Sequence, residues 1–95
     1  MFEDQNKIYK AIVNMVIEKN LLDMGQATHD QVLLSLREKY HCYLPDCYEH
    51  PEYLHEILKE LYGNASNVVI KSIKKELAEW KEHKEIKRFI EVMSR

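Results

Sequence analysis

Residues 51–77, PEYLHEILKELYGNASNVVIKSIKKEL, decide the fold. Pro51 suits the first turn of an α-helix. Apolar side chains then recur at helical spacing on one face, at Leu54, Ile57, Leu58 and Leu61. Gly63 ends this helix, and Asn64 or Ser66 caps the next one. That next helix carries its own apolar stripe at Val69, Ile73, Leu77 and Trp80. The stretch therefore predicts two amphipathic helices joined by a short turn.

Two further helices are predicted upstream of this stretch. Residues 4–22 form the first, with an apolar stripe at Ile8, Ile12, Val13 and Val16. Gly25 suits the left-handed residue that closes a helix. Thr28 then opens the second helix with the capping-box pattern T-H-D-Q. Pro45 forces the residue before it out of helical geometry, so this helix should end near Tyr40.

A second apolar set follows the charged residues 81–85, at Ile86, Phe89, Ile90 and Met93. In a straight helix these positions are rotated by roughly 160–200° from the stripe before them. One stripe covers the core, so the other should form an exposed patch, and a second copy of the chain is the simplest partner. A chain ending at Lys81 would then be a folded monomer. The alternative is a kink near His83 that folds the tail back onto its own core.

The fold class predicted is all-α, a compact array of four to five helices with a long C-terminal helix. The chain has 95 residues with only two Gly and two Pro, and this scarcity disfavours a turn-rich β fold. Residues 1–95 should form a single domain, in which 81–95 could act as a separate dimerisation or partner-binding helix. The predicted core comprises Ile12, Val16, Leu33, Leu36, Leu54, Ile57, Leu58, Leu61, Val69, Ile73 and Leu77.

Charge and hydropathy narrow the class of protein. Residues 1–70 carry 11 acidic and 6 basic side chains, whereas residues 71–95 carry 5 and 8. The C-terminal lysines alternate with glutamates, so a solvated helix face is favoured over a nucleic-acid surface. No apolar run is long enough to span a membrane. The start MFEDQNKIYK lacks the features of a secretory signal, so a cytoplasmic location with reduced thiols is expected.

The loop from His41 to His50 raises the question of metal binding. Two sulfur and two nitrogen ligands suitable for tetrahedral zinc lie within fourteen residues, at Cys42, Cys47, His50 and His55. Their spacing and the absence of glycine match a zinc knuckle poorly. The alternative is that both cysteines are buried apolar residues and that His50 caps the next helix.

Catalysis is not expected from this sequence. Nucleophilic chemistry would need Cys47 beside His50 or His55 together with an orienting group, and no glycine-rich oxyanion loop is visible. Five tyrosines surround the loop, at Tyr40, Tyr43, Tyr48, Tyr53 and Tyr62. The acidic residues among them would repel nucleic acid, so these rings should fill the space between helices.

The order of signals from residue 21 to residue 77 resembles a small helical output-domain family of ammonia-oxidising archaea. The residues that carry the resemblance are Leu21, Leu22, Gly25, Leu36, Tyr40, Asp46, Pro51, Leu54, Leu58, Leu61–Ala65, Val69, Ile73 and Leu77. In that family a glycine-containing turn precedes the second helix, and a Phe-Gly or Tyr-Gly breaks into a long closing helix. The resemblance implies an all-α fold and a signalling-output role, and it assigns no functional residue.

The sequence thus favours a non-enzymatic protein-interaction or signalling-output module that acts through a helical surface. A small DNA-binding regulator that uses Lys74, Lys75 and Lys84 is the first alternative. The second alternative is a metal-binding or thiol-sensing protein that works through residues 41–55.

Overall fold

Five α-helices dominate the computed structural model, which describes the backbone of residues 2–95 and the side chains of residues 6–95. The helices are α1 (Phe2–Met24), α2 (Gln26–Tyr40), α3 (Pro51–Tyr62), α4 (Ser66–Leu77) and α5 (Lys84–Met93). A short 3-10 helix at Leu44–Tyr48 follows α2 and is called the loop helix. No strand occurs within residues 2–95, so the predicted all-α array of four to five helices is confirmed.

The third helix forms as its sequence predicts. Pro51 is the first residue of α3, and Gly63 follows the last one with a positive φ of 55°. The centre of its apolar stripe is buried at Leu54, Ile57 and Leu58. The predicted cap of α4 is wrong, because the Ser66 hydroxyl donates back to Gly63 O at 2.6 Å and no side chain caps the helix.

The chain reverses after α4, which divides the predicted long C-terminal helix in two. α4 ends at Leu77 and continues as a 3-10 turn at Ala78–Trp80. His83 is extended, with φ −74° and ψ 125°, and α5 starts at the next residue. The two apolar stripes lie on opposite sides of a straight helix, so only such a reversal buries both of them.

The predicted exposed patch is therefore wrong. Ile86, Phe89 and Met93 are buried, and Ile90 is half-buried against the same core. α5 packs on α3, α4 and the loop helix, so residues 81–95 do not stand apart as a dimerisation helix. The predicted homodimer loses the surface on which it rested.

One hydrophobic core joins the helices and the loop helix. α1 lies against α2, α4 and the loop helix, while α3 contacts α2, α4 and α5. The predicted core residues Leu36, Leu54, Ile57, Leu58, Val69, Ile73 and Leu77 are buried. Four others are only half-buried, at Ile12, Val16, Leu33 and Leu61.

The buried face of α1 differs from the predicted one. The buried positions are Val13, Ile17 and Leu21, whereas Ile8 is 59% exposed. Asn20 is buried beside them, and its Nδ2 donates to Glu76 Oε2 at 2.6 Å and to Val16 O at 2.8 Å. α1 packs on α2 and α4 together, so its buried face points between them and includes this polar link to α4.

A single residue, Gly25, joins α1 to α2. α2 begins at Gln26, so the capping box predicted at Thr28 is wrong. Gly25 has φ 128° and ψ 151°, a region that side chains with a Cβ rarely adopt. Its N–H donates to Leu22 O, and its carbonyl accepts from His29 N. Glycine therefore permits the abrupt corner between the two longest helices.

Gly25→Ala is expected to lower the free energy of unfolding by about 1–3 kcal/mol. Beyond the two adjoining residues, no heavy atom lies within 4 Å of the added Cβ, so the cost arises from the backbone conformation. Urea denaturation followed by circular dichroism measures it. The exposed neighbour provides a control, since Gln26→Ala should change stability by less than about 0.5 kcal/mol. Equal stability of both variants would show that the corner does not require glycine.

Candidate interaction surface

The four side chains predicted to bind zinc contact other groups of the protein. Cys47 is buried, Cys42 is half-buried, and both are free thiols. The His50 ring stacks on Tyr53 at 4.7 Å between centroids, and His55 Nε2 lies 3.0 Å from Arg95 O. Within residues 6–95, no three His, Cys, Asp or Glu side chains are grouped to hold a metal ion. Zinc binding stays a prediction that this arrangement does not support.

The two thiols are held in their protonated form. Burial raises the pKa of the Cys47 thiol, and it also raises the pKa of the Cys42 thiol. The thiolate is the nucleophile and the metal ligand, so this environment disfavours both chemistries. Cys47 lies with Leu44 and Tyr48 on the buried side of the loop helix.

The tyrosines near the loop fasten α2 to α3. Tyr40 stacks on Tyr53 with ring centroids 4.0 Å apart and planes 6° apart. The Tyr40 hydroxyl donates to Glu56, and burial together with this hydrogen bond raises the pKa of Tyr40 to about 12. Lys39 Nζ lies 2.9 Å from Glu56 Oε1 and 2.6 Å from Glu60 Oε2. These ring faces are occupied by one another, in line with the predicted structural role.

The basic residues of the C-terminal third lie on two separate helices. Lys71 and Lys75 belong to α4, whereas Lys84 and Lys87 belong to α5 beyond the reversal. Arg88 donates through Nη1 to Glu49 O at 3.2 Å. The lysines therefore do not form one straight basic stripe.

A groove lies between α1, α2 and the loop helix, and it is called the α1–α2 groove. Its volume is about 510 Å³, and its apolar lining comprises Leu33, Leu34, Tyr43, Leu44 and Pro45. Leu34 is 50% exposed and Tyr43 is 66% exposed, although both belong to residue types that are usually buried in part. An open concave surface with large apolar side chains at its edge is typical of a binding site.

Polar groups at the two ends of the α1–α2 groove differ in charge. At one end, His29 lies between two acids, with Nδ1 3.2 Å from Asp30 Oδ1 and Nε2 4.0 Å from Glu18 Oε2. Hydrogen bonds from His29 and Gln26 lower the pKa of Asp30, which favours its charged form. At the other end, the Arg37 guanidinium carbon lies 5.7 Å from the Tyr43 ring centroid.

Asn14 adds an unmet hydrogen-bond acceptor to the same groove. It lies on α1 one helical turn before Glu18 and lines the groove. Its Oδ1 is buried, and no donor among the described residues reaches it. Buried acceptors are normally paired, so this oxygen keeps unused hydrogen-bonding capacity next to the groove.

A second depression lies on the other side of Glu18, between α1 and α4. Its volume is about 490 Å³, and it is lined in part by Met15, Leu22 and Glu76. Met15 and Leu22 are exposed. The outer face of α1 thus carries apolar side chains beside the α1–α2 groove.

Sequence reasoning did not single out Leu34 or Met15 as surface residues. The available signal was their position, because each is a large apolar residue off the stripe that its helix buries. The sequence predicts that Tyr43 packs between helices with the other tyrosines, whereas the structure leaves its ring exposed at the groove.

No protein-family model, curated protein or solved structure matches this chain. Within residues 2–95, no helix combines the length and the apolar composition needed to cross a bilayer.

Proposed function

We propose that this chain is a non-enzymatic protein-interaction module, used as a signalling output, and that it binds a partner protein through the α1–α2 groove. One observation carries the proposal: Leu34 and Tyr43 stay exposed at the edge of an apolar groove while the other large apolar residues of α2 and the loop helix are covered. The resemblance to an archaeal output domain points to the same class of role.

The composition of the groove fits a protein partner. Tyrosine and arginine are enriched at the energetic centres of interfaces, and Tyr43 and Arg37 lie together at one end. The lining combines aliphatic floor residues with a few charged groups at the rim, as protein-binding surfaces commonly do. A groove between two helices also has the shape that receives a partner helix.

A displayed library of amphipathic helical peptides of about 16 residues, roughly four turns, tests the proposal. Selection against the full chain should yield peptides with Kd values of about 1–100 μM, which correspond to about 5–8 kcal/mol of binding free energy. Leu34→Glu should weaken these peptides at least about tenfold, because it places a charge on the apolar rim.

Val68→Glu is the matched control. Val68 is 75% exposed on α4, outside the groove, so this variant should bind the selected peptides as the unaltered chain does. Equal losses in both variants, or a selection that yields no binders, would contradict the proposed role of the groove.

A further inference from the structure

The geometry points to a specific partner chemistry for the α1–α2 groove: an amphipathic helix that places a lysine or arginine side chain at Asn14, Glu18 and Asp30. This inference rests on the proposed interaction function. It names the kind of side chain that the partner must carry and the place at which that side chain binds.

Glu18 and Asp30 are the two acids at this end of the groove, and His29 is the basic side chain beside both of them. Among residues 6–95, no lysine or arginine forms an ion pair with Glu18 or Asp30, and the side chain that lies beside both acids is the His29 imidazole. Two acids that reach α1 from other elements are paired, since Glu76 lies 2.8 Å from Lys19 and Glu49 lies 3.0 Å from Lys10. A cation supplied by the partner would complete the arrangement, and lysine and arginine are the side chains that carry one.

The unpaired side-chain oxygen of Asn14 also favours a lysine or arginine head group. Asn14 Oδ1 is buried in the groove without a donor from the described residues. Ammonium and guanidinium heads carry three and five N–H donors, so one head can serve the amide oxygen and a carboxylate together. An apolar side chain in this position would leave the oxygen unpaired, and an acidic side chain would also meet two like charges.

The apolar lining of the groove suits the methylene stem of a lysine or arginine side chain from the partner. Leu33, Leu44 and Pro45 offer apolar surface for the methylene stem of a lysine or arginine, whose head reaches the polar end. Leu34 and Tyr43 then contact the neighbouring apolar residues of the partner helix. At the far end, Arg37 lies seven residues along α2 from Asp30, or about 10 Å. The partner should therefore be basic at one end of its contact and carry no cation two turns further on.

The test uses a library in which two flanking positions of the amphipathic peptide are drawn equally from Lys, Glu and Gln. Selection against the full chain should enrich Lys at the position that faces Glu18 and Asp30. Exchanging that Lys for Glu in a selected peptide should weaken binding at least about tenfold, as measured by fluorescence anisotropy, and added salt should reduce the difference.

The double variant Glu18→Gln, Asp30→Asn assigns the preference to these two acids. Both side chains are exposed, so the variant should keep its helical circular dichroism. The Lys-to-Glu difference should fall below about threefold in this variant, whereas Glu38→Gln, an exposed acid on α2 away from the groove, should leave it unchanged.

The outcomes separate this inference from the proposed function. Selected peptides that lose affinity with Leu34→Glu but show no Lys preference would overturn the basic-helix inference and leave the interaction function standing. A Lys preference that persists in the double variant would also overturn it. A library without binders would overturn both. Self-association of the peptide-free chain that Leu34→Glu abolishes would assign the groove to a second copy and overturn the inference.

Discussion

Phe89→Ala is expected to lower the free energy of unfolding by about 3–5 kcal/mol. Phe89 is fully buried on α5, where that helix packs on α3, α4 and the loop helix. Truncation removes a large apolar side chain from water-excluded contacts and leaves a cavity at the junction of these elements. A domain of this size is stable by only about 5–15 kcal/mol, so the loss is a large fraction of the total.

Urea denaturation followed by circular dichroism checks this prediction. Val68→Ala is the control for an exposed apolar residue and should change stability by less than about 0.5 kcal/mol. Phe89→Leu should lie between the two, because it retains most of the buried apolar surface. If Phe89→Ala were as stable as Val68→Ala, α5 could not be part of the core.

The sequence predicts best where local chemistry and core contacts agree. α3 has proline at its start, glycine at its end and one clear apolar stripe, so its bounds and buried face follow from local rules. The end of α2 is predicted equally well: Pro45 indicates an end near Tyr40, and the helix does end at Tyr40, with His41 next in the left-handed conformation at φ 55°. In these segments the long-range packing only reinforces what the local pattern already specifies.

Prediction is poorer where several elements meet. The buried face of α1 depends on where α2 and α4 lie, and the Asn20–Glu76 hydrogen bond that tethers it spans 56 residues. The surroundings of the apolar stripe on α5 also depend on where other helices lie. Two stripes on opposite faces of a straight helix permit either an exposed patch or a chain reversal. The position of α3 decides between them, because α3 provides the surface against which the α5 stripe packs.

The α1–α2 groove was not predictable from periodicity. Leu34 lies within α2, whereas Tyr43 lies beyond the end of that helix. The two side chains line the same groove because the left-handed residue His41 turns the chain from α2 into the loop helix. The acids Glu18 and Asp30 come together across the corner at Gly25. A hairpin of two helices thus creates a charge arrangement that neither helix shows alone.

The residues behind the archaeal resemblance are mainly apolar helix residues, together with three positions that set backbone direction. Gly25 has φ 128°, Gly63 has φ 55°, and Pro51 starts α3. Such positions report where helices begin and end, so they bear on the fold and leave the groove unassigned. Leu34 and Tyr43 are not among the residues on which the resemblance rests, and a test of function must therefore come from binding.

A chain that ends at Lys81 is expected not to fold, which reverses the outcome that the exposed-patch interpretation predicts. The deletion removes α5 and with it four buried apolar side chains, Ile86, Phe89, Val92 and Met93. At about 1.5–3 kcal/mol each, their burial contributes about 6–12 kcal/mol. That loss is comparable to the whole stability of a domain of this size, and it exposes the apolar faces of α3 and α4 that α5 covers.

Circular dichroism and urea titration of the shortened chain measure the result. We expect the shortened chain to give a weak helical signal and to show no cooperative unfolding transition. A chain that ends at Met93 is the matched control: it keeps α5 and loses only the terminal contacts, in which Lys74 donates to Ser94 Oγ and His55 lies beside Arg95 O. It should unfold cooperatively with stability within about 1 kcal/mol of the full chain, since exposed hydrogen bonds contribute little. A folded, cooperative monomer ending at Lys81 would mean that α1 to α4 form a complete core, and that the burial of α5 is dispensable.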